Sequence, residues 1–294
     1  MNVSSIGNPI CHLAECPIWN DSEQMLYWTD ILEKRIWKYD PKTGECLIEW
    51  EGELKVGGFC FTEQNDMVLC TDKGIYKLVR SREPSLLPLF NISMADNERI
   101  NDITTDPKGR IFAGTLLTSR QDGILYRLEK GKTPIPVLIG LNTSNGMTFS
   151  MDLKYFYHTD SSPSMRITRY SYDIEKGDLS DPVLYYQGTD QYGHPDGITI
   201  DIQDHIWVAC WGASRIIRLD PGGRIVSEIK TDALKTSSVV FAGEKMNELY
   251  VTSACEGGKD IEKGLDENGN FLGGLIYHVD NPGVSGRKEF PANF

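Results

Sequence analysis

One phrase recurs six times along the 294 residues of this chain, and that recurrence constrains its fold more than any other feature. The clearest copy is His194–Gly212, HPDGITIDIQDHIWVACWG: a small polar turn, a strand-like alternation, a polar break, then an apolar run. Related copies begin at AECPIW, VGGFCF, RINDIT, TSNGMT and TSSVVF. Each continues through a loop into a third apolar run of the type ILYRL or IIRL, and most add a weakly patterned fourth such as CLIEW. Runs rich in Ile, Val, Tyr, Trp and Phe, punctuated by Gly, Pro, Asp and Asn, read as β-strands, and helical periodicity is nearly absent. Four strands per unit at a period of about 40–50 residues is the pattern of a propeller blade. The expected fold is therefore all-β: a six-bladed β-propeller of four-stranded antiparallel blades, forming one domain over residues 1–294. The sixth unit ends near Phe294 without an evident fourth strand. Residues 2–12 are expected to supply it, closing the ring and protecting an open sheet edge.

Charge and cysteine usage narrow the partners. Forty-two acidic against 30 basic residues leave a net charge of −12. That balance argues against nucleic acid or an anionic membrane and suits neutral or cationic ligands, although a solvated acidic surface gives the same number. The seven cysteines include no CxxC pair and no zinc-finger spacing. Cys60, Cys70 and Cys210 fall inside apolar runs, where a thiol is a small core residue. The opening residues lack the basic-then-apolar pattern of a signal peptide, and no apolar run approaches the ~18–20 residues of a membrane span. The expectation is a cytoplasmic protein, monomeric or weakly homo-oligomeric.

Strand parity locates a site. Adjacent strands of a blade run antiparallel, so the turn before strand one and the loop between strands two and three share a face. With the six copies aligned at the start of strand one, one position reads Glu15, Gly57, Asp102, Asn145, Asp196 and Ser237. First strands line the central channel, so Glu15, Asp102, Asn145 and Asp196 are expected to converge on the axis at one face. The loops 116–122 and 254–273 would lie beside them, the second long and Gly-rich enough to serve as a flap. Carboxylates and an amide oxygen from separate repeats make an oxygen-rich centre for a hard or borderline divalent cation, with positions left open for water and substrate. Asn145-Gly146 and Asp196-Gly197 are also ordinary tight-turn pairs. Glu15 has no such explanation.

The stretches AECPIW, RINDITTDPKGRIFAGT, SNGMTFSMDLKYFYHTDS and HPDGITIDIQDHIWVACWG resemble the signature stretches of the SMP-30/gluconolactonase/luciferin-regenerating family, and the similarity covers essentially the whole chain. The resemblance implies a six-bladed propeller with one central divalent cation, held by Glu15, Asn145 and Asp196. It also implies substrate contacts from Arg99 and Asn101. Two departures stand out. Ile103 follows Asn101-Asp102 where the family usually has Gly, and the loop LLTSRQDG offers no clear counterpart to an acidic substrate contact found in some relatives.

The activity implied is hydrolysis of a sugar-acid lactone, of gluconolactone, xylonolactone or arabinolactone type, to the aldonic acid. A divalent cation (Ca²⁺, Zn²⁺, Mn²⁺, Mg²⁺ or Fe²⁺) would polarise the carbonyl, with Asp196 as general base. Arg99 stays protonated and would hold a hydroxyl or a developing carboxylate. His194, two residues before Asp196, is expected to be a loop residue with some reach toward the pocket rim. Competing readings are a metal-dependent phosphotriester or other ester hydrolase, and a non-catalytic calcium-binding propeller. Fold alone does not choose among them.

Overall fold

The computed structural model describes residues 2–6, 8–92, 99–119, 121–255 and 272–294. Among these the chain is entirely β, with no helix. It opens with the short strand β1 (Asn2–Ser5) and continues as four separate four-stranded antiparallel sheets. The first holds β2 (Ala14–Asn20), β3 (Met25–Asp30), β4 (Arg35–Asp40) and β5 (Glu45–Glu51). The second holds β6 (Val56–Phe61), β7 (Met67–Thr71), β8 (Ile75–Val79) and β9 (Ser85–Phe90). The third is β10 (Ile100–Thr105), β11 (Ile111–Thr115), β12 (Gly123–Leu128) and β13 (Ile135–Leu141). The fourth is β14 (Ser144–Phe149), β15 (Tyr155–Asp160), β16 (Arg166–Asp173) and β17 (Asp178–Gln187).

The remaining strands form one eight-stranded sheet with two parts. One is β18 (His194–Ile200), β19 (Ile206–Trp211), β20 (Arg215–Leu219) and β21 (Ile225–Lys230). The other is β22 (Lys235–Ala242), β23 (Glu248–Ala254) and β24 (Tyr277–Asp280), with β1 added at its outer edge. Within the sheet the two parts are joined by the pair Trp211 and Lys235. The N-terminal strand thus supplies the missing partner, pairing Asn2 with Asp280 through Ser5 with Tyr277. First strands lie side by side in a closed circuit: β2 against β6, then β10, β14, β18 and β22, which returns to β2. This is a propeller-like arrangement.

The polar hairpin after most first strands has a local cause. A side-chain oxygen at its start captures backbone N–H groups of the turn, as expected of Asx and Ser/Thr turns. Asn20 accepts from Ser22 and Glu23, Asp106 from Lys108 and Arg110, Ser150 from Lys154 and Tyr155, and Asp201 from Gln203 and His205.

The core lies between neighbouring sheets. Phe112 of the third sheet meets Phe149 and Phe156 of the fourth at ring-centroid distances of 5.9 and 5.1 Å, all three fully buried. Burial of such a side chain contributes roughly 1.5–3 kcal/mol. Cys60, Cys70 and Cys210 are buried free thiols, as their apolar context requires.

The C-terminal segment crosses the hairpin end of the ring. Ser285 accepts a hydrogen bond from the Ile202 amide, while the amides of Gly286, Ala292 and Asn293 donate to the carbonyls of Met246, Phe61 and Gly109. That end is opposite the one where the first strands begin. No helix of the described residues is long and apolar enough to cross a membrane.

Candidate active site

A cavity of about 250 Å³ sits where the first strands begin. Glu15, Arg99, Asn101, Asn145, His194 and Asp196 line it, contributed by β2, β10, β14, β18 and the residue before β10. Leu13, Leu116 and Trp211 form its apolar wall. The five residues that the family resemblance assigns to the site (Glu15, Arg99, Asn101, Asn145 and Asp196) all line this one space.

Two local devices bring them there. Every first strand carries a register irregularity at this point, between Glu15 and Ile18, Ile100 and Asp102, Asn145 and Met147, and Pro195 and Ile198 among others. A bulge re-aims the side chain beside it. Close approach of β14 and β18 depends on Gly146, because a Cβ there would lie 2.4 Å from the Asp196 carbonyl oxygen.

The second device is an aspartate at the end of the second strand. Asp30 accepts from the amides of His12 and Leu13 at 3.0 and 3.1 Å, fixing the approach to Glu15. Asp160 does the same for Asn142 and Thr143 at 2.9 and 3.1 Å, ahead of Asn145. Asp72 repeats it for Lys55. The signal was in the sequence as the recurring Thr-Asp of WTD, CTD and HTD. At the corresponding positions of β11 and β19 the chain has Leu116 and Trp211 instead, and these form the apolar wall.

Hydrogen bonds from each of three sheets to the first strand of its neighbour tie the ring together at the same level. Asn101 Nδ2 donates to the Ser144 carbonyl and to Asn145 Oδ1, both at 2.8 Å. Ser161 Oγ donates to the Pro195 carbonyl at 2.6 Å, and Ser237 Oγ to the Ala14 carbonyl at 2.6 Å. Behind Asn101, Ser144 Oγ meets His158 Nε2 at 2.7 Å. Burial holds His158 down to about 4, so the ring is neutral at physiological pH.

Asp102 departs from expectation. It does not join Glu15, Asn145 and Asp196 but lines a second cavity of about 450 Å³, further along the axis toward the hairpin end. The reason is register. On its ladder Asp102 pairs with Gly114 on the far side of the bulge, the level held by Met147 and Ser238 in other sheets, and those residues line the same lower cavity. Asn101 takes the place that alignment by composition gives to Asp102. Ile103 is a buried core residue packed with Phe59 and Ile100. Burial pushes the Asp102 carboxyl up to about 7. His194 also departs from expectation: it is the first residue of a strand and lines the upper cavity. Most of loop 254–273 falls outside the described residues, as does Arg120 of loop 116–122.

The electrostatics of the upper cavity suit a cation. Asp196 is 4% exposed, and its Oδ1 is buried without a hydrogen-bond partner. Burial, then the charge of Glu15, then that of Asp102, drive its carboxyl well above the usual carboxylate range, with Arg99 opposing. Desolvated carboxylates that repel one another gain most from a shared counter-charge. Glu15, Asn145 and Asp196 could hold a divalent ion through oxygen atoms, a donor set suited to hard and borderline ions. Among the described residues no three His, Cys, Asp or Glu side chains gather as a metal-holding group, so a third donor would have to come from another group such as the Asn145 amide.

Converging first strands and an oxygen-lined axial cavity define a propeller-like protein built around a small polar site. The chain belongs to the SMP-30/gluconolactonase/LRE-like family, whose model matches residues 13–255. It is 31% identical over 293 residues to the pentonolactonase XacC of Haloferax volcanii, covering 99% of this chain and 98% of that one. It is 33% identical over 247 residues to a 6-deoxy-6-sulfogluconolactonase of Pseudomonas putida, covering 83% and 84%. Among solved structures, a luciferin-regenerating enzyme matches with a TM-score of 0.90 at 27% identity, over 100% of this chain and 99% of the other.

Proposed function

We propose that this chain is a divalent-cation-dependent lactonase that hydrolyses a single-ring sugar-acid lactone to its aldonic acid. Its architecture is read as one domain of six blades, the two parts of the eight-stranded sheet counting as two. The observation that carries the function is the pairing of Glu15 with a buried, partnerless Asp196 oxygen in a cavity whose other polar groups come from three further strands or turns. Lactonase relatives at 31% and 33% identity support the same reading. A volume of about 250 Å³ lies just below the ~300–1,000 Å³ of sites for drug-sized ligands, which favours one sugar ring over a disaccharide.

Glu15, Asn145 and Asp196 would hold the cation. When bound, that ion supplies positive charge that polarises the lactone carbonyl, stabilises the charge developing on its oxygen and offsets the repulsion between the two carboxylates. Asp196 takes a proton from the attacking water and returns it to the ring oxygen as the acyl C–O bond breaks, leaving a hydroxyl and a carboxylic acid. Arg99 cannot act as base at any working pH and holds a substrate hydroxyl or the new carboxylate. Asn101 has both amide hydrogens committed to Ser144 and Asn145, so it meets substrate through Oδ1, as an acceptor from a hydroxyl. Leu13, Leu116 and Trp211 keep one wall dry.

Acid release from gluconolactone, xylonolactone and arabinolactone, with and without a chelator, tests the reading, and elemental analysis of protein purified without added metal identifies the ion. Turnover that a chelator stops and one of the five candidate ions restores is the expected result. Turnover indifferent to chelation, or absent on every lactone with metal bound, overturns it. Hydrolysis of phosphotriesters alone would move the substrate class while keeping the metal.

A further inference from the structure

Five buried side-chain nitrogen or oxygen atoms among the described residues lack a hydrogen-bond partner, and two of them, His194 Nδ1 and Asp196 Oδ1, belong to the upper cavity. Folded proteins pair nearly all their buried polar atoms, so an unpaired buried atom on a residue that lines a cavity is one that a bound molecule can complete when the side chain turns toward it. The proposed cation accounts for Asp196. His194 is left without a role. Its neighbours are already committed inside the protein, Ser161 Oγ to the Pro195 carbonyl at 2.6 Å and Thr143 Oγ1 to the Ser162 carbonyl at 3.2 Å.

The imidazole is anchored by its backbone. His194 opens β18 paired with Trp211, and Gly193 before it adopts a φ of +67°. A Cβ at Gly193 would lie 2.3 Å from the Trp211 carbonyl oxygen, so the turn that delivers His194 admits only glycine.

We propose that His194 is a specificity-determining residue of this site, its Nδ1 hydrogen-bonding a hydroxyl of a polyhydroxylated lactone. The inference rests on the lactonase reading above. A hydroxyl both donates and accepts, so it pairs Nδ1 in either tautomer of the neutral ring, whereas a carbonyl or carboxylate pairs it only when it carries a proton. An unsubstituted lactone leaves Nδ1 orphaned, and sites built to bind a substrate hydroxyl reject the analogue lacking it.

The test compares arabinolactone and xylonolactone with γ-butyrolactone, which has no hydroxyl, on wild-type protein and two variants. His194→Phe keeps a planar ring without nitrogen, and His194→Asn places an amide near the Nδ1 position. Loss of one neutral hydrogen bond should lower kcat/KM of His194→Phe about tenfold on the hydroxylated lactones, while γ-butyrolactone changes by less than about twofold. Metal content should stay at the wild-type level, and His194→Asn should recover most of the loss. An equal loss on both lactone types, or none on the hydroxylated ones, overturns the role given to His194. Wild-type protein inactive on every lactone is a different failure: it removes the lactonase reading and this inference with it.

Discussion

Asn101 Nδ2 stands 2.8 Å from Asn145 Oδ1, so an amide on one first strand fixes the amide on the next. Asn101 is therefore as much an orienting partner of a proposed ligand as a substrate contact. Replacing such partners usually costs about 10–100-fold in metal affinity or activity. Asn101→Ala should lower cation affinity by about that factor, read by competition with a chelating dye. Unchanged affinity with damaged KM would restrict Asn101 to substrate.

Asp196 and Arg99 should separate cleanly. Asp196→Ala is expected to abolish turnover and weaken cation binding. It should also raise the melting temperature of metal-free protein, because a desolvated carboxyl beside Glu15 is removed. Arg99→Ala should keep full metal content and lose the ~1.5–3 kcal/mol of a charged hydrogen bond, about 10- to 150-fold in kcat/KM. Metal content measured beside kinetics decides both, and a fall in metal for Arg99→Ala would refute its assignment.

Asp102 gives the protein a pH-dependent liability. Its folded pKa of about 7 lies above the ordinary 3.8. Between those values the folded state keeps a proton that the unfolded chain has released, so this contribution to stability falls as pH rises from about 4 to 7. Partial contact with the lower cavity screens the charge, which keeps the effect to about 1–3 kcal/mol. Asp102→Asn should match the wild type near pH 4 and exceed it by about that amount at pH 8 in urea unfolding. A difference constant across pH would show that Asp102 is not the titrating group.

Phe294 anchors the C-terminal crossing. It is 5% exposed and meets Phe90 edge-on, with centroids 5.8 Å apart. Phe294→Ala should cost about 3–5 kcal/mol in chemical denaturation, the usual penalty for emptying a buried aromatic site. Lactone kinetics should be preserved, since the upper cavity lies at the other end of the first strands. A loss of activity equal to that of a cavity variant would show that the two ends are coupled.

The repeated grammar made the β-strands, their grouping in fours and a closing role for residues 2–12 legible in advance, because period-two alternation and turn residues are local properties; the structure narrows that strand to Asn2–Ser5. Glu15, Asn145 and Asp196 were legible for a related reason: each sits at the same place in its repeat, and repeated units place equivalent residues equivalently. Asp102 falls outside that set because the repeats align by spacing and not by carboxylate: five residues before Asn20, Asp106, Ser150 and Asp201 stand Glu15, Asn101, Asn145 and Asp196. Choosing the carboxylate at 102 lands one step off that count, and one step along a strand reverses the facing of the side chain.

The sequence by itself determined which segments pair, since hydrogen-bonding strands and their turns are written in neighbouring residues. It also determined the oxygen atoms available to the axis. Only the tertiary structure decided which of them share a cavity. Asn101 and not Asp102 stands beside Asn145, and His194, whose Nδ1 is buried and unpartnered, lines the same cavity. Those outcomes depend on contacts between residues 40 and more positions apart, where close packing leaves one arrangement.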